Sequence, residues 1–372
     1  MKSIYNFSAG PAILHPSVVK ATSDATLEFK DTGMSLMEMS HRSQPVVDMV
    51  SETENLVRKL LNLTDSYKVL FLQGGASLQF CMVPMNLLGE GQVADYTNTG
   101  TWSQKAINEA MIYGKVNVIS SSKDSNYNYI PKEMNQSDNA QYLHLTSNNT
   151  IFGTQWNNFP SPMRSETYLV ADMSSDIFSR EFEIDDFGLI YAGAQKNIGP
   201  AGVTLVIIRE SILQSVSRDI PTMMQYQTHI NKESMFNTPP VMSIYAVNQS
   251  LHWLDSIGGV SNMEIKNKRK AKKLYDEIER NSLFNCPVHE DDRSIMNVPF
   301  IFNDELDEAR FLDYCADRGL YTLKGHRSVG GFRASISVSY THLRAHETRE
   351  DRGFRGVGGK KKGGGGGGGG GG

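Results

Sequence analysis

Short apolar runs alternate with longer amphipathic stretches along most of the chain. The apolar runs lie at residues 68–72, 93–96, 116–119, 141–145, 168–171, 189–192 and 203–208, and their length predicts buried strands. Helices are predicted at residues 16–30, 45–63, 101–113 and 210–216, and from the turn at 73–77 to residue 88. Strands that alternate with helices predict an α/β fold, with a mostly parallel sheet and helices on both of its faces.

From residue 240 onward the helices are longer. A helix is predicted at residues 240–257, ended by Gly258 and Gly259, and a charged helix at residues 263–281. A strand, a helix and a strand follow at residues 295–302, 304–318 and 320–324, which indicates a compact α+β unit. We therefore expect a large domain at residues 16–258, a small C-terminal domain at 259–336, and an N-terminal segment, residues 1–15, that packs with the small domain.

The final segment, residues 337–372, differs in composition from the rest. It contains three consecutive lysines and ends in ten glycines. A glycine homopolymer cannot bury surface, so we expect this tail to be disordered. We interpret it as non-native, because it looks like a translated sequencing adapter followed by a run of G base calls.

Composition and charge narrow the functional class. The chain has 39% hydrophobic and 21% charged residues, which is typical of a soluble globular protein, and a formal charge of −4 argues against nucleic-acid binding. No apolar run is long enough to span a bilayer and the N-terminus lacks a signal-peptide pattern, so a cytoplasmic protein is expected. The three cysteines show no C-x-x-C spacing, which indicates neither a disulfide framework nor a metal site.

Lys196 stands out among the lysines. It follows the apolar run at 189–192 and precedes a loop that contains Gly199, Pro200 and Gly202. A lysine that is desolvated at a strand exit has a lowered pKa and can form a Schiff base with an aldehyde such as pyridoxal phosphate (PLP). Most lysines in loops are surface residues, so this interpretation depends on the rest of the chain.

Two further turns carry candidate chemistry. Gly74, Gly75, Ala76 and Ser77 lie between a strand and a helix, where free N–H groups bind anions. Asp172 follows a strand directly, where open α/β sheets bind ligands. Its carboxylate would pair with the pyridine nitrogen of PLP, and the alternative is a helix N-cap.

An aromatic residue and several arginines complete the candidates. Trp102 begins a helix and would either stack on a planar cofactor or pack in the core. Arg42, Arg327 and Arg333 would bind carboxylates or phosphates, although a single arginine is more often a surface residue.

Nine short motifs together resemble the phosphoserine aminotransferase family, in order and at matching spacing over residues 1–336. They are FSAGP at 7–11, MSHRS at 39–43, QGGAS at 73–77, GTWS at 100–103, NNTI at 148–151, ADMSS at 171–175, AQKNIGP at 194–200, FNTPP at 236–240 and KGHRSVGGFRAS at 324–335.

The resemblance implies a fold-type I, PLP-dependent homodimer with shared active sites. Members convert 3-phosphohydroxypyruvate and glutamate into O-phospho-L-serine and 2-oxoglutarate in serine biosynthesis. They often act also on 4-phosphohydroxy-L-threonine in pyridoxine biosynthesis. We expect this activity here, with no nucleic acid, membrane or metal involved.

The resemblance also implies roles for individual residues. Lys196 is expected to form the Schiff base and to move the proton, Asp172 to pair with the pyridine nitrogen, Trp102 to stack on the ring and Thr150 to bond the ring hydroxyl. The remaining expected ligands are Ala76, Ser77 and Gln195 for the cofactor phosphate, Asn237 and Thr238 for the same phosphate across the dimer, Arg333 for the substrate α-carboxylate, and His41, Arg42, His326 and Arg327 for the substrate's second anion.

Two departures and two alternatives stand beside this interpretation. Some family members carry arginine at the position of Ser77, and the family continues after residue 336 with a last helix that this chain replaces by the tail. The alternatives are a related enzyme of the same fold, such as a cysteine desulfurase or a serine–glyoxylate type aminotransferase, and an inactive truncated product.

Overall fold

The structure is built around one large sheet and one small sheet. A computed structural model describes residues 4–214 and 216–337. The strands in this part of the chain are Tyr5–Asn6 (β1), Tyr67–Leu72 (β2), Val93–Asn98 (β3), Lys115–Ser121 (β4), Ala140–Thr146 (β5), Tyr168–Asp172 (β6), Phe187–Gly193 (β7), Thr204–Arg209 (β8), Phe284–Asn285 (β9), Asn297–Phe302 (β10), Leu320–Tyr321 (β11) and Phe332–Ser335 (β12). The α-helices are Pro16–Leu27 (α1), Gln44–Leu61 (α2), Gly75–Leu87 (α3), Thr101–Ala110 (α4), Tyr226–Ile230 (α5), Val241–Ser256 (α6), Gly259–Arg280 (α7) and Glu308–Asp317 (α8).

The large sheet has the strand order β2-β8-β7-β6-β5-β3-β4 among the described residues. Pairing is parallel from β7 through β6, β5 and β3 to β4, whereas β8 runs antiparallel to both of its neighbours. The predicted mostly parallel sheet is therefore confirmed. Its parallel strands all direct their carboxyl ends to one edge, where ligands bind in folds of this kind.

Helices cover both faces of the large sheet. Side chains along β2 alternate between the two layers, since Val69 and Phe71 pack with α1, α2 and α6, while Leu70 and Leu72 pack with α3 and α4. This alternation follows from the two-residue period of a strand. Both faces are apolar because both are buried, which explains why the sequence shows continuous apolar runs.

The small sheet has the order β12-β10-β9 within the described chain, and all its pairs are antiparallel. A separate apolar cluster fills the space between this sheet, α7 and α8, with Phe300, Phe311 and Phe332 in mutual ring contact. The N-terminal strand β1 pairs in parallel with β11. The first residues of the chain therefore lie beside β11, in the C-terminal part of the chain.

Several predicted boundaries were wrong. The strand predicted at 320–324 ends at Tyr321, because Thr322 adopts a left-handed backbone with φ 64°. The helix predicted at 304–318 begins at Glu308, where the Asp307 side chain accepts the Arg310 N–H at 3.1 Å as an N-cap. The segment predicted as a helix at 210–216 is a 3₁₀ turn, Glu210–Gln214.

The strands β1, β9 and β12 were not predicted. The first two are only two residues long, too short to show any alternation. Of the predicted tail, residues 338–372 lie outside the described residues, as do residues 1–3. Among the helices that the structure describes, none has both the length and the apolarity needed to cross a membrane.

Candidate active site

Three neighbouring strands deliver the central residues of the site. Asp172 is the last residue of β6, Lys196 follows β7 through a 3₁₀ turn, and Thr150 lies just beyond β5. The strands β5, β6 and β7 are adjacent and parallel. Their carboxyl ends therefore converge, which brings together residues that the sequence separates by more than twenty positions.

The Lys196 amine lies between a hydroxyl and an aromatic ring. Its Nζ donates to Thr150 Oγ1 at 3.1 Å and lies 4.8 Å from the centroid of the Trp102 ring. Burial lowers the pKa of Lys196, the Arg333 charge lowers it further, and Asp172 raises it. The amine is thus biased toward its neutral, nucleophilic form.

Asp172 is held by a serine that the sequence reasoning missed. Both the main-chain N–H and the hydroxyl of Ser174 donate to Asp172 Oδ1, at 3.0 and 2.6 Å. The same hydroxyl accepts from the Gly193 N–H at 3.1 Å. Ser174 thus connects the carboxylate to the end of β7, directly before the turn that carries Lys196. The residues after Asp172 form turns and not an α-helix. Asp172 is therefore not the N-cap of a helix, and the main-chain N–H that it accepts belongs to this local turn.

The QGGAS turn leads from β2 into α3. Gly74 has φ 86° and Gly75 φ 66°, a left-handed backbone that favours glycine. Ala76 and Ser77 occupy the first turn of α3, whose N-terminus receives no side-chain cap. A Cβ placed on Gly75 would meet no atom within 4 Å, so the turn is open to an approaching anion. On the other side of the site, Gln195 accepts the Ala12 N–H at 2.8 Å through its main-chain oxygen.

Arg333 reaches the site from the small sheet. It lies on β12, and its Nη1 donates to the main-chain oxygen of Thr150 at 3.2 Å. Its Nε is buried and has no partner among the described residues. Burial lowers the pKa of Arg333. The remaining N–H groups of its guanidinium have the geometry that binds a carboxylate.

Further cations surround Arg333. Burial lowers the pKa of His326, and the charges of Arg333, Arg327 and Lys105 lower it further. Lys105 was not among the predicted residues, although its Nζ lies 4.8 Å from the Trp102 ring centroid. The proximity of Lys105 to Trp102 was predictable from the sequence, because residues three apart on a helix share a face. The site therefore has a positively charged opening.

His41 and Thr238 belong to a second group of the predicted residues. His41 Nδ1 lies 3.3 Å from Thr238 Oγ1, and Gln73 Nε2 donates to the Thr238 main-chain oxygen at 3.2 Å. Burial, and secondarily Arg42, lowers the pKa of His41. Within the described chain these contacts join the group to the QGGAS turn and not to the Lys196 cluster. Arg42, Asn237 and Thr238 are exposed.

A cavity of about 330 Å³ adjoins this second group. Asn237 and Gly74 both line it, together with apolar side chains that include Leu78 and Met223. Asn237 therefore lies near the QGGAS turn of its own chain.

The arrangement fits a phosphorylated pyridine aldehyde. Asp172 offers a buried carboxylate for a ring nitrogen, and the start of α3 offers N–H groups for a phosphate. The Trp102 ring has a partnerless, buried Nε1 in the described structure, and one of its faces lies near the Lys196 amine. These are the groups that would hold PLP between an aromatic ring, a carboxylate and a lysine.

The cysteines do not resemble activated nucleophiles. Burial raises the pKa of Cys81 to about 11, that of Cys315 to about 12, and that of Cys286 above its usual value. A desulfurase needs a thiolate near neutral pH. The cysteine desulfurase alternative thus has no support from these thiols.

Comparison with known proteins agrees with the geometry. The family model for class-V aminotransferases matches residues 4–345. A phosphoserine aminotransferase from Azobacteroides pseudotrichonymphae genomovar. CFP2 is 52% identical over 334 residues, which cover 89% of this chain and 92% of the relative. The solved phosphoserine aminotransferase of Bacillus circulans subsp. alkalophilus superposes with a TM-score of 0.87 at 46% identity, covering 91% of this chain and 94% of the other. The PLP-bound phosphoserine aminotransferase of Trichomonas vaginalis superposes with a TM-score of 0.87 at 36% identity, covering 93% and 98%.

Proposed function

The chain belongs to the phosphoserine aminotransferases, PLP-dependent enzymes of the class-V aminotransferase family, and from this premise we propose that it transfers an amino group between O-phospho-L-serine and 2-oxoglutarate. The reverse direction makes O-phospho-L-serine from 3-phosphohydroxypyruvate and glutamate. One observation supports this most directly. The Lys196 amine and the Arg333 guanidinium both donate hydrogen bonds to Thr150, and further cations lie near Arg333.

Lys196 moves the proton in this proposal. PLP, once bound, supplies an electron sink for the negative charge that develops at the substrate α-carbon. Nζ of Lys196 takes the α-proton, because its lowered pKa favours the neutral amine. Thr150 Oγ1 orients that amine through their hydrogen bond of 3.1 Å. Asp172 would hold the ring nitrogen through Oδ2, since Ser174 engages Oδ1.

Two sets of residues divide the recognition of ligands. Ala76, Ser77 and Gln195 bind the cofactor phosphate, and Trp102 stacks on the ring. Arg333 binds the substrate α-carboxylate, while His326 and Arg327 receive the phosphate of phosphoserine or the γ-carboxylate of glutamate. Both substrates therefore present a second anion to the same cations, which explains how one site serves both half-reactions.

A homodimer completes the site. His41 and Thr238 contact each other beside the QGGAS turn of their own chain, and no hydrogen bond joins them to Lys196 among the described residues. Following the family resemblance, we assign them, with Arg42 and Asn237, to the active site of a second copy. Met37 and Phe236 are close to this group in sequence, and Met223 lines the same cavity as Asn237; all three are exposed apolar side chains, which supports a covered surface here.

The same recognition extends to a related substrate. 4-Phosphohydroxy-L-threonine carries the same α-carboxylate and a terminal phosphate, so Arg333 and the His326–Arg327 pair would bind it too. We accordingly assign the enzyme to serine biosynthesis and, secondarily, to pyridoxine biosynthesis, in the cytoplasm.

A direct assay tests this function. Purified protein with PLP, O-phospho-L-serine and 2-oxoglutarate should form glutamate, whereas L-serine in place of phosphoserine should give little. Equal turnover of both would contradict a phosphate-binding site. Bound PLP without phosphoserine turnover would instead indicate another substrate within the same fold.

A further inference from the structure

A buried chain of amide and hydroxyl groups connects the small sheet to the large one. Asn148, beyond β5, donates from Nδ2 to Asn297 Oδ1 at 2.7 Å, and Asn297 Nδ2 donates to Ser335 Oγ at 2.8 Å. Asn148, Asn297 and Ser335 are each less than 5% exposed. Such bonds are strong in a buried setting and costly to leave incomplete.

This series of hydrogen bonds is connected to the active site at both of its ends. Arg333 and Ser335 lie two positions apart on β12, and therefore on the same face of the strand. Arg333 Nη1 donates to the main-chain oxygen of Thr150, two residues after Asn148. The strand that carries Arg333 is thus held twice against the segment that carries Thr150, once by Arg333 itself and once through the two asparagines.

Close packing and further hydrogen bonds also hold the segment beyond β5 against the small sheet. Gly153 has φ 78°, and a Cβ there would overlap the Pro299 ring of β10. The main-chain oxygen of Gly153 accepts the Ser294 N–H at 2.8 Å, and Ser294 Oγ donates to Asn148 Oδ1 at 2.5 Å. Asn148 therefore has three side-chain partners, since its Nδ2 also donates to Ser175 Oγ at 2.7 Å.

We propose that Asn148 and Asn297 are positioning residues that hold Arg333 at a fixed place relative to Lys196. The inference rests on the proposed role of Arg333 in binding the substrate α-carboxylate. Neither asparagine is among the residues that we assign to the substrate or the cofactor, and Asn297 reaches β12 through Ser335. Losing their connection should weaken carboxylate binding and leave the cofactor contacts of Asp172, Trp102 and the α3 turn intact.

The test compares Asn297→Ala with Asn267→Ala in the PLP-loaded enzyme. Asn267, on α7, is also fully buried and donates to the Ser179 main-chain oxygen at 2.9 Å. Its variant therefore loses a similar hydrogen bond. The helix α7 packs against the small sheet but lies far from β12 in sequence. Binding of glutarate, an unreactive dicarboxylate, is measured by calorimetry, and PLP binding by titration of the apoenzyme. Asn297→Ala removes both of its buried side-chain hydrogen bonds and should weaken glutarate binding about tenfold, with PLP affinity as in the wild type. Asn267→Ala should change neither.

Equal effects of both variants on glutarate, or a parallel loss of PLP affinity in Asn297→Ala alone, would overturn the proposal. If Asn297→Ala does not fold, Ser335→Ala decides the question, because it removes the side-chain bond between Asn297 and β12 and keeps the Asn148–Asn297 bond. It should weaken glutarate binding by about threefold or more, and unchanged binding would refute the positioning role. Glutarate reports on Arg333 whether or not phosphoserine is turned over, so failure of the proposed function remains a separate result.

Discussion

Lys196 acquires its chemistry from its neighbours. A free lysine is protonated near neutral pH, but burial and the charge of Arg333 lower the pKa of this one. The charge of Asp172 opposes that shift. A lowered pKa favours an amine that must take and return a proton near neutral pH.

Replacement of Lys196 tests its assignment. Lys196→Ala should abolish turnover and the visible absorbance of the lysine-bound cofactor, because no other amine donates to Thr150 in the described chain. Absorbance spectra and the glutamate assay measure both. Lys20→Ala, an exposed lysine paired with Asp24, is the control and should behave as the wild type. Retained transamination in Lys196→Ala would contradict the assignment.

At the scale of elements, strand ends and helix starts create the site. The ends of β6 and β7 and the segment beyond β5 provide Asp172, Lys196 and Thr150, and the start of α3 provides main-chain N–H groups. These features come from four separate stretches of the sequence and not from one long motif. The parallel pairing of the strands makes their ends meet at one edge.

The turn before α3 should tolerate no side chain at Gly74. Gly74→Ala would force a Cβ into a left-handed backbone and against the Leu78 side chain, which costs about 1–2 kcal/mol from the backbone alone. We expect PLP affinity to fall by about tenfold, since 1.4 kcal/mol corresponds to that factor. Gly91→Ala is a matched control, because Gly91 also has positive φ but open space around its Cβ. Equal PLP affinities in the two variants would show that this turn does not bind the cofactor.

A buried lysine on α7 should make stability depend on pH. Nζ of Lys270 donates to the main-chain oxygens of Ile336 and Ser337, and burial, with a smaller effect of Lys266, lowers its pKa to about 7. Between about pH 7 and about pH 10 the unfolded chain binds the additional proton, so the free energy of unfolding rises with pH, by up to about 1.4 kcal/mol per pH unit. Below about pH 7 both states are protonated and the slope from this group vanishes.

Urea unfolding across that pH range measures the effect. Lys270→Met should remove the slope, and the loss of its two hydrogen bonds should lower the free energy of unfolding at every pH. Lys272→Met, on the exposed side of the same helix, should keep the slope of the wild type. Identical slopes in all three proteins would mean that Lys270 titrates normally.

At the scale of the whole molecule, the separation of two residue groups has a consequence. Lys196, Thr150 and Arg333 form one group, while His41 and Thr238 form another beside the QGGAS turn. If each active site takes one group from each of two chains, mutations in different groups should complement one another.

Mixed dimers test this complementation. Chains with Lys196→Ala and chains with both His41→Ala and Arg42→Ala should each be inactive alone. Verified heterodimers should regain up to about half of the wild-type activity per dimer, since one of their two sites is intact. Heterodimers of Lys196→Ala with Asp172→Ala chains are the control and should stay inactive, because both changes lie in the same group. No recovery in the first pair would argue against shared sites.

The sequence by itself determined the strands of the large sheet and the identity of Lys196, Asp172 and the glycine turn as candidates. Strands buried on both faces must be continuously apolar, so β2 to β8 were visible as apolar runs, and glycine and proline marked the turns between them. These signals are local, and they are carried by residues adjacent in the chain.

Only the tertiary structure decided the strand order, the antiparallel placement of β8, and the partners of the candidate residues. No role was predicted for Ser174 or for the Asn148–Asn297 pair, although Ser174 and Asn148 lie within the ADMSS and NNTI motifs, because serine and asparagine are common in loops and on surfaces. Their roles come from contacts such as that between Asn148 and Asn297, which lie 149 positions apart. Burial and hydrogen bonding between such distant residues arise only when the sheets pack together, so no local pattern encodes them.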